Sequence, residues 1–449
     1  MASEPRPAPA ADAGSDPLAA RDAELVRPRD AELVRPRDAE LARPRITSVP
    51  VRFTSARTRA MPESVFAHMD AAKAAARAAG RDVIDLSIGS SDLAPPPEAL
   101  AALRDATADP ATYGYCLASG SRPLREAAVR WHRERFGDPP GGPLDPDAHA
   151  LQLIGSQEGL AHLLWAVADA GDAVLLPDPA YPSYFGAVAV AGLEAIALPL
   201  LQQNGFLPDL DAVDPRAADR ARALVLNYPN NPTAGVADEA FFDRAVAFCR
   251  RHGLLLIHDF PYVDTVDGEA CAPSVLSRPG ALEVAIELYS ASKSFHMGGF
   301  RIGWALGHPE AIAALARVKG AVDFNAYLGI QRAAVAALAR PRSAARRDAL
   351  VFAARRAALA AALAEVGWPL SAPPAGMYLW ARIPTVAGAL AADSLAFCDA
   401  LVRDTGVALA PGRGFGPNGE GYVRFALVRD ADPLREAARR VGAFLTRQG

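Results

Sequence analysis

Lysine is almost missing from this sequence: of 47 lysine and arginine residues in 449, only Lys73, Lys293 and Lys319 are lysine. Arginine serves solvated faces and ion pairs as well or better, so lysine is not the routine surface cation here. What lysine alone offers is an amine that can lose its proton and attack a carbonyl. Cysteine is scarce too: Cys116, Cys249, Cys271 and Cys398 lie far apart with no CxxC spacing. That excludes a disulfide scaffold and a zinc knuckle, and it reads as reduced thiols in a cytoplasmic protein. The eight histidines form no HExxH pair, so no metal is expected. No apolar run reaches membrane-spanning length, and the N-terminus lacks the apolar core of a secretory signal. Charge of one sign is lacking as well. A net charge of -4 gives no strong field for nucleic acid or an anionic membrane.

What is present is ordinary for a globular protein: 51% hydrophobic and 22% charged residues, over a length that suits one large α/β unit with a smaller companion. The first 45 residues differ from the rest. The octad RDAELVRP occurs at 21–28 and 29–36, then as RDAELARP at 37–44. A proline every eight residues breaks a helix, and one Leu/Val pair per unit builds no core, so residues 1–45 read as a disordered tail. From about residue 62 helical spacing begins, with Lys73 expected on a solvated helix face and Gly80 as the stop.

Short strands are expected at 83–89, 151–155, 173–178, 223–228, 254–259, 284–290 and 301–307. From 150 onward these are continuous Val/Leu/Ile runs rather than alternating ones, which predicts burial on both faces of a mainly parallel sheet. Helical stretches such as 238–253 supply the crossovers. Active groups of such a sheet gather at the carboxyl ends of its strands. After about 310 come long Ala/Leu/Arg helices, the strands MYLWARI and YVRFALV, and a final helix, which suggest a smaller α+β domain.

At or just past the strand ends sit Asn231 in NYPNNPTAG, Asp259 in HDFPY, and Ser290, Ser292 and Lys293 in SASK, with Arg301 eight residues further on. GSQEG at 155–159 turns a strand into a helix whose first N–H groups would face an anion. An amine nucleophile, a carboxylate, an amide and an anion cluster are what pyridoxal 5'-phosphate requires. GFGPNG at 414–419 matches GxGxxG by letters, but it precedes a strand and so fails as a dinucleotide site.

Together these motifs resemble the class I/II aminotransferases, the aspartate aminotransferase-like branch of fold-type I pyridoxal-phosphate enzymes, from about residue 60 to the C-terminus. The resemblance implies an α/β fold with a seven-stranded, mostly parallel central sheet and a smaller α+β domain. It implies domains at 46–92 (an arm and part of the small domain), 93–315 (the cofactor domain) and 316–449 (the rest of the small domain). Lys293 would condense with the cofactor's aldehyde. Asp259 would meet the ring nitrogen, Asn231 and Tyr262 the phenolate oxygen, and Tyr181 would stack on the ring. Ser156, Gln157, Ser290, Ser292 and Arg301 would hold the phosphate. Tyr115, in YGYCLASG, would reach the phosphate of a partner subunit, which implies a homodimer. Arg424 would clamp the substrate α-carboxylate and Gly89 would pack near the substrate, unless it is needed only for its backbone angles.

The implied activity is transfer of an amino group from an L-amino acid, with aspartate, glutamate or LL-diaminopimelate suggested, to a 2-oxo acid. Arg122, Arg317 and Arg413 stand as candidate ligands for an acidic side chain, and no role is assigned to His258 or His296. Two other readings stay open here: a carbon–sulfur β-lyase that would keep every cofactor residue, and a non-catalytic sensor built on the same domain.

Overall fold

The computed structural model describes residues 52–61, 63–117, 119–268 and 271–448, so the octad repeat lies outside the described residues. Thr54–Gly449 form one unit, which contains every strand and helix described. Its strands, in chain order, are β1 (Ile84–Asp85), β2 (Ala150–Leu153), β3 (Ala173–Asp178), β4 (Glu194–Pro199), β5 (Ala221–Leu226) and β6 (Leu255–Asp259). They continue as β7 (Ala285–Ser290), β8 (Gly303–Gly307), β9 (Tyr378–Arg382), β10 (Val407–Ala408), β11 (Ala410–Pro411) and β12 (Tyr422–Ala426).

The central sheet has the order β2-β8-β7-β6-β5-β3-β4. Strands β3 to β7 pair in parallel, while β8 runs against both β2 and β7. The apolar runs explain its place in the middle of the molecule. Along β5, Leu224 and Leu226 enter one core while Ala223 and Val225 enter another on the opposite face. Neighbouring β6 divides in the same way, with Leu256 on one side and Ile257 on the other. Each such Leu, Val or Ile contributes roughly 1.5–3 kcal/mol by leaving water.

The helix Glu239–His252 that joins β5 to β6 has its own start and stop signals. Asp238 accepts a hydrogen bond from the Phe241 N–H at 2.7 Å, and Gly253 closes the helix in the left-handed region at φ 64°. Its buried face, Phe241, Phe242, Ala245, Val246 and Cys249, lies on the sheet. Strand β4 was not expected from the sequence. It is an edge strand with Glu194, Ala195, Ala197 and Pro199 exposed, so it lacks the apolar run that marks the inner strands.

A second core gathers around two small sheets. Strands β11, β12 and β9 are antiparallel neighbours, and β1 pairs with β10 in parallel. Val423 and Phe425 of β12 point into that core with Leu379 and Ala381 of β9, which leaves Arg424 on the other face. GFGPNG forms short 3-10 turns ahead of β12, with no helix after it, so the dinucleotide reading fails as expected.

Lys73 corrects the sequence reading. It is buried rather than solvated, because Asp70 and Asp85 both stand 2.7 Å from its ammonium. Lys319 is also buried, at 2.9 Å from Glu158 and 3.1 Å from Asp323.

Candidate active site

Topology collects the expected side chains at one end of the central sheet. Asn231 follows β5, Asp259 ends β6, and Lys293 follows β7. Ser156 follows β2 and Tyr181 follows β3 at the same end. Arg301 precedes β8, and because β8 is antiparallel its start lies at that end too. The result is a cavity of about 400 Å³. Gly89, Ser156, Gln157, Tyr181, Asn231, Asp259, Tyr262, Ser290, Ser292, Lys293, Arg301 and Arg424 all line it. Tyr115 does not: it is 95% exposed and touches only the edge of the Phe324 ring among the described aromatic contacts. None of Arg122, Arg317, Arg413 or Lys319 lines the cavity.

Lys293 sits in the single turn Ala291–Ser294, which Ser290 caps by accepting from the Ser292 N–H at 3.2 Å. Its ammonium donates to the Gly89 carbonyl at 2.5 Å and stands 5.8 Å from the Tyr262 ring centre. At one end of the cavity the helix Ser156–Val167 opens after Gly155, whose φ of 96° favours glycine. Space demands glycine there as well, since a Cβ would come 2.7 Å from Arg301 Nη2. Free N–H groups of a helix start beside a guanidinium make an anion site.

Arg424 lies 1% exposed against three aromatic rings, with centres at 4.3 Å (Tyr378), 4.8 Å (Phe415) and 5.7 Å (Phe66). It donates to Asn231 Oδ1 and to the Ser87 carbonyl, both at 2.8 Å, while Nε has no partner. Among the described residues it meets no carboxylate, although a buried cation is costly unless paired. The charged side chains lining the cavity are thus Lys293, Arg301 and Arg424 against Asp259 alone. Such a site calls for anions.

Asp259 accepts from the Tyr184 hydroxyl at 2.5 Å through Oδ2, whereas Oδ1 is buried without a hydrogen bond. Burial pushes its carboxyl up; the Tyr184 and Ser156 hydroxyls, His258 and Lys293 pull down without cancelling that. The Ser156 hydroxyl acts here by proximity and makes no well-formed bond to the orphan oxygen.

Several functional residues carried no signal in the sequence. Tyr378 of β9 donates to or accepts from the Tyr262 hydroxyl at 2.9 Å and covers Arg424. Burial pushes the Tyr378 phenol up, but Lys293, Arg424 and the Tyr262 bond bring it below its ordinary value, while Tyr262 is driven up by burial and by Tyr378. Asn227 bridges two motifs, donating to the Asp259 carbonyl at 2.7 Å and accepting from the Asn231 N–H at 2.9 Å. Gly89 is not in the left-handed region. Its reason is space, since a Cβ would fall 2.1 Å from the Tyr378 hydroxyl.

Residues 81–441 match the family model for aminotransferase class I and II. The chain belongs to the aminotransferase class I and II family. Similar proteins carry the same kind of name. An LL-diaminopimelate aminotransferase of Gloeobacter violaceus is 40% identical over 390 residues, which cover 87% of this chain and 98% of that protein. The glutamate-pyruvate aminotransferase AlaC of Escherichia coli is 37% identical over 398 residues, 89% of this chain and 95% of that one. Among solved structures, a probable N-succinyldiaminopimelate aminotransferase from Thermus thermophilus superposes with a TM-score of 0.79 at 51% identity, covering 85% of this chain and all of the other. This family member is therefore an amino-acid transaminase with the α/β fold of its relatives. Neither the lyase nor the sensor reading finds support among these matches.

Proposed function

We propose that this transaminase uses pyridoxal 5'-phosphate held through Lys293, and moves the amino group of an L-amino acid to a 2-oxo acid. The observation that carries the proposal is the charge pattern of the cavity: an amine, two arginines that meet no carboxylate among the described residues, and one buried carboxylate with an orphan oxygen. Each fits a part of the cofactor or substrate. Ser156, Gln157, Ser290, Ser292, Arg301 and the helix start suit the phosphate. Tyr181 offers a ring face, Asn231 and Tyr262 offer polar groups to the phenolate oxygen, and Asp259 Oδ1 awaits a donor such as a protonated ring nitrogen.

When bound, the cofactor supplies a sink for the electrons released at the substrate's Cα. The chain's residues do the rest. Arg424 binds the α-carboxylate by two parallel N–H bonds and so fixes the direction of the Cα–H bond. Its aromatic surroundings exclude water and strengthen that contact. Asp259, as carboxylate, holds the ring-nitrogen proton. Lys293, released from the cofactor, takes the proton from Cα as general base and returns it as general acid.

LL-Diaminopimelate and glutamate, drawn from the relatives' names, are the first donors to test, with pyruvate among the acceptors and aspartate as a later donor. We read residues 93–315 as the cofactor domain, and 46–92 with 316–449 as the small domain. A cytoplasmic homodimer completes the proposal. Tyr115, Leu117 and Val322 are all more than half exposed, an apolar surface suited to a second copy, whose phosphate Tyr115 would reach.

Purified protein mixed with the cofactor should show its absorbance band, and at least one donor should convert that band to the amine form and yield the matching 2-oxo acid. A band that no L-amino acid alters would overturn the proposal.

A further inference from the structure

Behind Asp259 lies a buried polar cluster that the proposed chemistry does not use. His258 and Glu287 are both fully buried, on adjacent strands β6 and β7. Glu287 receives four donors. Oε1 accepts from the Val275 N–H at 2.7 Å and faces His258 Nδ1 at 3.0 Å. Oε2 accepts from the Ser274 hydroxyl at 2.7 Å and from the Tyr289 hydroxyl. A carboxylate has about four lone-pair sites, and these contacts fill them, which leaves no acceptor for a proton of its own.

The other nitrogen of His258, Nε2, faces the Tyr228 carbonyl at 3.2 Å. A carbonyl only accepts. Both ring nitrogens therefore point at acceptors, and a neutral imidazole would aim a lone pair at one of them in a dry interior. The remaining neighbours do not change this count. Phe242 and Phe260 present rings at 5.0 and 4.4 Å from the imidazole. His132 reaches Ser274 at 3.2 Å and Glu287 only at 3.9 Å, and burial pushes it toward its neutral form.

We propose that His258 and Glu287 form a buried imidazolium–carboxylate pair, and that His258 is thereby a positioning residue for Asp259 and for the turn that carries Asn231. The pair ties β6 to β7 through Glu287 and to the end of β5 through the Tyr228 carbonyl. Asp259 is the next residue on β6 and points the opposite way, into the cavity. Its carbonyl is held by Asn227, which also holds the Asn231 N–H. Charges then alternate from Glu287 through His258 to Asp259. The imidazolium favours the ionised Asp259 that the ring nitrogen needs, against the burial that opposes it.

The positioning role rests on the cofactor reading, but the proton count does not, and the two are measured apart. Nitrogen-15 NMR of the full-length chain labelled at histidine, with the His258 signal assigned by its loss in His258→Gln, should show both ring nitrogens protonated in the native protein. Glu287→Gln should remove one of those protons and speed cofactor release by a factor in the roughly 5- to 150-fold range of coupled sites. Glu287→Asp, which keeps the charge, should retain both protons. A bare ring nitrogen at about pH 7 in the unmodified protein overturns the pair. An unchanged cofactor release rate in a folded Glu287→Gln protein overturns the positioning role while leaving the pair intact.

Discussion

Gly89→Ala tests how tightly the cavity wall is built. The new methyl would lie 2.1 Å from the Tyr378 hydroxyl, 2.5 Å from Cε1 and 2.7 Å from Cζ, so ring or loop must move by more than an ångström. The ring has little freedom, because its hydroxyl is bonded to Tyr262 and its face covers the Arg424 guanidinium. The loop is equally committed, since the Gly89 carbonyl receives the Lys293 ammonium. Overpacking of this kind costs about 1–3 kcal/mol of stability. Displacing the group that backs Arg424 by about 1 Å should lower kcat/KM roughly 100-fold. Steady-state transamination with thermal unfolding of the same preparations measures both. Adding Tyr378→Ala should relieve the clash but restore neither stability nor kcat/KM, because a buried aromatic and the support of Arg424 are then gone. Gly89→Ala with unaltered kinetics and unfolding temperature would refute the reasoning.

Three further outcomes follow from the proposed site, the last of them from the proposed homodimer. Arg424→Lys keeps the charge but loses the planar fork, and KM for the amino donor should rise roughly 100-fold with a smaller effect on kcat, as initial-rate kinetics would show. Asp259→Asn should lower activity by roughly 10²–10³-fold in the same assay. It should also change the pH dependence of cofactor-free stability. Burial raises this acid in the folded protein, so the wild-type carboxyl is harmless below the ordinary aspartate value near 3.9 and costs stability as pH rises through its folded-state value. Unfolding temperatures should therefore favour the variant increasingly as pH rises above about 4, until the folded-state value is passed; a gap that stays constant would count against it. Tyr115→Phe should raise cofactor dissociation roughly tenfold without altering the fold, read by the loss of cofactor absorbance on dilution.

Much of the fold was legible because two-sided burial writes itself as unbroken apolar runs. β3 is observed at 173–178 as expected, and β5 to β8 lie within two residues of their expected bounds. The edge strand β4 was not legible, since a strand that shows one face to water needs no such run. At the site, residues after strand ends were readable because the topology of a parallel sheet sends them to one place. Tyr378, Tyr184 and Asn227 were not. Each acts through a neighbour distant in sequence, and a tyrosine or asparagine carries no mark of that. Lysine scarcity singled out too little by itself, because Lys73 and Lys319 are buried as well-paired cations, each between two carboxylates. What separates Lys293 is that its amine faces a cavity and a carbonyl rather than a counter-ion.

The most direct measurement is borohydride reduction of the cofactor-loaded protein followed by peptide mass spectrometry. The account predicts a pyridoxyl group fixed on Lys293, and Lys73 and Lys319 unmodified. Cofactor fixed at another residue, or a peptide around Lys293 recovered without it, would contradict the account.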